Sequence, residues 1–186
     1  MSKKILVVVD VQKDFYHPDG ALYVKGGEVL PERIAKVIPE FDNVIFTLDW
    51  HPANHCSFAD NGGIWPVHCV AYTEGASLPK EFIPFLVFDG NPVGRNYNNI
   101  VTKGSWAPAE EYGARIPIYL LDCIDEVVFC GIHALYCVKE TIKNFIEKHP
   151  QVKVSVLTDC IAPLDCDEFN TFCIENSITQ KSIEDF

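Results

Sequence analysis

Cys137 stands in the segment Gly131-Ile132-His133-Ala134-Leu135-Tyr136-Cys137-Val138, between an apolar strand-like run at 127–130 and a helical pattern over 137–149. A cysteine on such a strand-to-helix turn faces the first-turn N–H groups, whose partial positive charge favours thiolate over thiol. That is a position for a nucleophile, provided the chain also supplies a base and a cation. Asp10 closes the β-branched run 5–9, and Lys103 follows a short β-like run at 99–102. A carboxylate there could accept the thiol proton, and an ammonium would stabilise the charge left behind. Each has a plainer alternative: a strand-end Asp can cap the next turn, and an isolated Lys is usually a solvated charge. The three lie far apart in the chain, so only the fold can join them.

A second constellation offers metal chemistry. Asp49 and His51 are two apart on an extended segment, which projects both side chains from one face. His68, in Trp65-Pro66-Val67-His68-Cys69, supplies a third donor. One carboxylate and two imidazoles suit a divalent metal, zinc first with iron or manganese as alternatives, and leave positions for water or substrate. The clustering of histidines over 51–68 favours this over a polar loop with incidental histidines. Cys69 could compete as a soft ligand, but it would favour a closed structural site.

The elements that must position these residues read as an α/β chain. Runs 5–9, 43–48, 126–130 and 152–157 have the continuous apolar pattern of strands buried on both faces of a parallel sheet. Helical patterns lie between and after them, at 27–41, 118–124, 137–149 and 167–176. Strands alternating with helices predict right-handed crossovers and a three-layer α/β/α fold around a mainly parallel central sheet. Ligands of such sheets sit outside the carboxyl ends of the strands, which is where Asp10, Asp49 and the Gly131 turn fall. Two long Pro/Gly/Asn-rich loops, 51–79 and 89–117, carry tryptophan or histidine and are expected to be functional. A single domain over 1–186 accounts for the whole pattern.

Composition narrows the partners. The 186 residues are 48% hydrophobic and 22% charged, an ordinary globular balance, and the net charge of −11 opposes nucleic acid or an anionic membrane as partner. A small molecule is the expected ligand. Eight cysteines occur without a C-x-x-C pair, and several sit in apolar runs, as reduced core thiols of a cytoplasmic protein do. The apolar run after Lys3-Lys4 ends at Asp10, too early for a signal peptide, and no segment approaches the ~20 apolar residues of a membrane span. Neither a G-x-G-x-x-G fingerprint nor a G-x-S-x-G elbow is present, which removes the usual nucleotide and serine-hydrolase readings.

With these residues assembled, the chain resembles the nicotinamidase/pyrazinamidase branch of the isochorismatase-like cysteine hydrolases. The matching segments are Val8-Val9-Asp10-Val11-Gln12-Lys13-Asp14-Phe15, Thr47-Leu48-Asp49-Trp50-His51-Pro52 with His55-Cys56-Ser57-Phe58, Trp65-Pro66-Val67-His68-Cys69-Val70, Lys103-Gly104, and Gly131-Ile132 with Cys137-Val138. The resemblance implies a catalytic triad of Asp10, Lys103 and Cys137 and a divalent metal on Asp49, His51 and His68, with His55 an extra ligand in some relatives. It implies an oxyanion hole from the backbone N–H groups of His133 and Cys137, a cis peptide between Ile132 and His133, and substrate-binding aromatic walls at Phe15, Trp65 and Tyr136. Nicotinamide hydrolysis to nicotinate and ammonia through a thioester is the implied reaction. Self-association into a homo-oligomer is compatible with the resemblance. At 133–135 this chain has His-Ala-Leu where relatives usually have Ala-Thr-Asp. That departure leaves open an N-carbamoyl or other small amide as substrate, and a non-catalytic metal- or ligand-binding protein is the reading from a different class.

Overall fold

The computed structural model describes residues 3–87, 98–117 and 124–186. Six strands form one sheet in which every pairing is parallel: β1 (Lys4–Val9), β2 (Asn43–Asp49), β3 (Ile100–Lys103), β4 (Glu126–Ile132), β5 (Lys153–Ala162) and β6 (Thr179–Lys181). Their spatial order is β3-β2-β1-β4-β5-β6. Helices α1 (Lys13–Tyr16), α2 (Leu30–Val37), α3 (Lys139–Lys148) and α4 (Asp167–Glu175) complete the expected three-layer α/β/α arrangement. Ile5, Leu6, Val7, Val8 and Val9 are all essentially inaccessible, as a central parallel strand covered on both faces requires. Burying a side chain of this kind contributes about 1.5–3 kcal/mol relative to leaving it in water.

The chain runs outward from β1 to β3 on one side and from β4 to β6 on the other. The order therefore reverses between β1 and β4, and the crevice at their carboxyl ends is the natural ligand position. Gly131 makes that crevice possible. Its φ is +121°, and a Cβ there would lie 2.0 Å from the Val9 carbonyl oxygen, so no side chain fits.

Several element boundaries differ from the sequence expectation. The helix expected over 27–41 is a tight turn at Gly27–Val29, then α2, then a second tight turn at Ile38–Glu40. Pro31 suits the first turn of α2, but Pro39 has no N–H to continue the ladder and stops it. The short helix α1 and strand β6 lie where no element was expected. β5 runs five residues beyond 157, with a register irregularity against β4 between Phe129 and Gly131. The helix expected at 118–124 falls almost wholly on 118–123, outside the described residues.

At the opposite end of the sheet, Glu126 is buried at the start of β4. Its carboxylate accepts from Ser155 Oγ at 2.5 Å and from Lys181 Nζ at 2.7 Å, with Lys153 Nζ at 3.3 Å. These contacts tie β4 to β5 and β6. Although burial opposes it, the hydrogen bonds from Lys181 and Ser155 bring the carboxyl down from its ordinary 4.5 to about 2. A depressed folded-state pKa stabilises the fold fully above the unfolded value and ceases to do so as pH falls through the folded one. Glu126→Gln should therefore lower stability by about 2 kcal/mol at neutral pH. The wild-type advantage should shrink between pH 4.5 and about 2 in denaturant titrations. An advantage that is constant across that window would contradict the assignment.

Candidate active site

Asp10 lies just beyond β1 in a left-handed conformation, φ +48°, which turns its side chain into the crevice. Its Oδ1 accepts from Thr47 Oγ1 at 2.6 Å. Its Oδ2 faces the Lys103 ammonium at 2.9 Å and accepts no well-aligned hydrogen bond. Lys103 ends β3 in register with Asp49 on β2, and its Nζ reaches Asp49 Oδ1 at 2.6 Å and Cys137 Sγ at 3.5 Å. One ligand atom each from Asp10, Asp49 and Cys137 lie within 4.8 Å of one another. Asp10, Lys103 and Cys137 are all buried. Three residues from three distant segments thus meet, as the sequence required.

Charge in this cluster is unevenly shared. Burial raises the Asp10 carboxyl above its usual range, opposed by the Lys103 ammonium. Burial works the same way on Asp49, but there the charges of Lys103 and His51 win and hold the carboxyl well below its usual range. The two carboxylates in turn hold Lys103 protonated against the cost of burial. Cys137 differs from the expectation. Burial pushes its thiol well above the usual range despite the neighbouring ammonium, so the resting sulfur carries its proton. Cys137 lies inside a widened π-type turn, Ala134–Val138, and regular helix begins only at Lys139. A buried thiol next to a carboxylate of raised basicity needs a proton acceptor, and Asp10 is placed to be one.

The second constellation also assembles. His51 Nδ1 bonds the Gly104 carbonyl at 2.9 Å and His68 Nδ1 bonds the Pro66 carbonyl at 2.7 Å. Each carbonyl fixes a ring so that Nε2 faces Asp49 Oδ2, at 3.3 Å from His51 and 3.8 Å from His68. Ligating histidines are commonly held by such an outer hydrogen bond. Asp49, His51 and His68 offer three donor atoms within 4.8 Å of one another, a set that fits a divalent metal. Burial pushes His68 down toward the neutral, ligating form, whereas Asp49 outweighs burial at His51 and pulls it up. A metal would replace that His51 proton. Gly104 is required here: its φ is +65°, and a Cβ would sit 2.5 Å from His51 Cε1. His55 stacks on His51 with ring centroids 4.0 Å apart, but its nitrogens are taken by Ser57 Oγ at 2.7 Å and the Ala109 carbonyl at 3.1 Å. It is not among the three donors that lie within 4.8 Å of one another.

Between the two constellations opens a cavity of about 450 Å³. Phe15, Trp65 and Tyr136 line it together with Cys137, His133, Asp49 and His68. Tyr136 meets Trp65 edge-on at 5.3 Å. The Ile132–His133 peptide is cis, as the resemblance implied.

Sequence reasoning missed the residues that hold this geometry. Gln12 is fully buried, and its amide bonds both the N–H and the carbonyl of Asp49, each at 2.8 Å, which fixes the backbone of the central carboxylate. Asp14 accepts from Cys69 N at 2.7 Å and Ala21 N at 3.2 Å, joining the loop that carries His68 to the strap 21–25 at the cavity mouth. The available signal was the polar spacing Asp10-Val11-Gln12-Lys13-Asp14 directly after an apolar strand. Tyr112, Glu110 and Pro163 also line the cavity, and nothing local marked them.

The isochorismatase domain family matches residues 4–178. A nicotinamidase of Saccharomyces cerevisiae is 30% identical, over 88% of this chain and 90% of the relative. The crystal structure of the yeast nicotinamidase bound to the inhibitor nicotinaldehyde superposes with a TM-score of 0.81 at 28% identity, covering 96% of this chain and 99% of that one. The pyrazinamidase of Pyrococcus horikoshii in complex with zinc gives 0.74 at 27% identity, covering 97% and 99%. No helix among the described residues is long and apolar enough to cross a membrane.

The metal reading separates His68 from His55. In competition against a chromophoric chelator, His68→Ala should weaken zinc binding by more than the roughly 10–100-fold that loss of an outer-shell partner costs. His55→Gln should stay within or below that range. Equal losses from the two variants would remove the ligand assignment.

Proposed function

The chain belongs to the isochorismatase-like hydrolases, in their nicotinamidase/pyrazinamidase branch, and on that premise we propose that it hydrolyses nicotinamide to nicotinate and ammonia through a thioester on Cys137. The observation that carries this reading is the meeting of a thiol, a lysine ammonium and a carboxylate of raised basicity at the foot of an aromatic cavity. Phe15, Trp65 and Tyr136 provide flat apolar surface for a pyridine ring. Asp49, His51 and His68 would hold a divalent metal, and when bound it supplies a Lewis-acidic point that orients the ring.

Asp10 takes the Cys137 thiol proton as the sulfur attacks the carboxamide carbon. Lys103 offsets the negative charge shared by sulfur and carboxylate during that transfer. The backbone N–H groups of His133 and Cys137 receive the oxygen as its charge develops. Asp10 then gives its proton to the departing nitrogen, the C–N bond breaks and ammonia leaves a Cys137 thioester. A water molecule, deprotonated by Asp10, attacks that thioester. The C–S bond breaks, the acid is released and the proton returns to sulfur.

Ammonia release from nicotinamide tests the proposal. Cys137→Ser should abolish it with the circular dichroism spectrum unchanged, and Asp10→Asn should lower kcat by about 10²–10⁴. Substantial activity in the serine variant would refute the nucleophile. Because Asp10 titrates above its ordinary 3.8, the acid limb of kcat/KM should also lie above that value. A limb at or below it would point to a different base. Chelation should raise KM more than it lowers kcat, the pattern of lost substrate positioning.

A further inference from the structure

His133 stands at the mouth of the π-type turn, and its side chain has a use of its own. Its Nδ1 accepts from the Leu135 N–H at 3.1 Å and so caps the turn that carries Cys137. A neutral imidazole has one acceptor nitrogen and one N–H. With Nδ1 committed as acceptor, the proton resides on Nε2. Burial pushes this histidine down, which keeps the ring neutral near pH 7. The ring is held edge-on to Tyr136 at 5.0 Å, and His133 lines the cavity beside Cys137. Nε2 has no hydrogen-bond partner among the described residues. Two other polar groups of the lining are engaged: Trp65 Nε1 donates to Tyr112 Oη at 3.0 Å, and Tyr23 Oη donates to Glu28 at 2.7 Å. The His133 imidazole beside the nucleophile therefore carries an N–H donor that the turn does not use.

We propose that His133 Nε2–H is a specificity determinant that favours planar aromatic carboxamides bearing a hydrogen-bond acceptor on the ring atom beside the carboxamide carbon. The inference rests on the reading of the cavity as an aryl-amide site. If the backbone N–H of residue 133 holds the carboxamide oxygen, its own side chain reaches only the near edge of the ring. Asp49 and His68 line the same cavity and are left for the rest of the ring. A ring with carbon at that near position leaves the imidazole N–H unpaired once water is expelled, whereas a ring nitrogen there satisfies it.

Pyrazine-2-carboxamide and pyridine-3-carboxamide form a near-isosteric pair that differs at this position. The wild-type protein should prefer the pyrazine in kcat/KM by roughly tenfold, the ratio one neutral hydrogen bond supports. Two variants separate the roles of the ring. His133→Asn keeps an acceptor for Leu135 N–H but lacks the distal donor, and its preference should fall to near one. His133→Gln places an amide N–H where Nε2 stood and gives up the cap, and it should retain the preference even if overall activity drops. A ratio unchanged in His133→Asn, or equal losses on both amides, would overturn the proposal. Calorimetric titration with the two corresponding carboxylates keeps this test apart from the activity. If neither amide is hydrolysed, the hydrolase reading fails, and tighter binding of pyrazine-2-carboxylate that is lost only in His133→Asn still supports the donor. Absence of any such difference in binding overturns it.

Discussion

One ammonium group, Lys103 Nζ, lies 2.9 Å from Asp10, 2.6 Å from Asp49 and 3.5 Å from Cys137, with almost no access to water. Two buried carboxylates next to a thiol would repel each other and lose their hydration, a penalty of several kcal/mol per ion even after relaxation. A single positive charge cannot neutralise both. The cluster resolves the imbalance by separating the two acids. Asp49 stays ionised between Lys103 and the histidines, while Asp10 becomes more basic than an ordinary aspartate. In the proposed reaction, that asymmetry suits one carboxylate to a structural and metal-facing task and the other to accepting a proton. It follows from burial and distance, with no special chemistry in either residue.

The sheet exists in a form that makes this cluster possible. β1, β2 and β3 are neighbours, so Asp10, Asp49 and Lys103 arrive at one end of three adjoining strands. β4 returns on the other side of β1 and delivers the Cys137 turn across the reversal in strand order. Two glycines permit the close approaches: Gly131 lets β4 lie against Val9, and Gly104 leaves room for the His51 ring. Gln12 and Asp14 then lock the backbone around Asp49 and the His68 loop. A shift of these supports would misplace reacting groups that must stay within a few tenths of an ångström of productive geometry.

Much of this was legible in the sequence because it rests on short-range pattern. The uninterrupted apolar runs announced buried parallel strands, and polar residues at their ends marked the functional rim. Asp49 and His51 were readable from strand alternation alone. What could not be read depends on tertiary context. The break of the 27–41 helix at Pro39 was a local signal overlooked, whereas the burial that raises the Cys137 thiol belongs to the fold. His55, which the resemblance offered only as an extra ligand in some relatives, has its ring engaged by the Ser57 hydroxyl and the Ala109 carbonyl. The capping role of His133 was also hidden, because a histidine contacting an N–H two residues on has no periodic signature.

Everything in the proposed mechanism passes through a covalent bond to Cys137, so the most direct measurement is acid quenching of a single turnover with excess enzyme, followed by peptide mass spectrometry. The account predicts a transient nicotinoyl adduct on the peptide containing Cys137, formed as ammonia appears and lost as nicotinate is released. Ammonia formed at the full rate with no acyl group on that peptide at any quench time would contradict it.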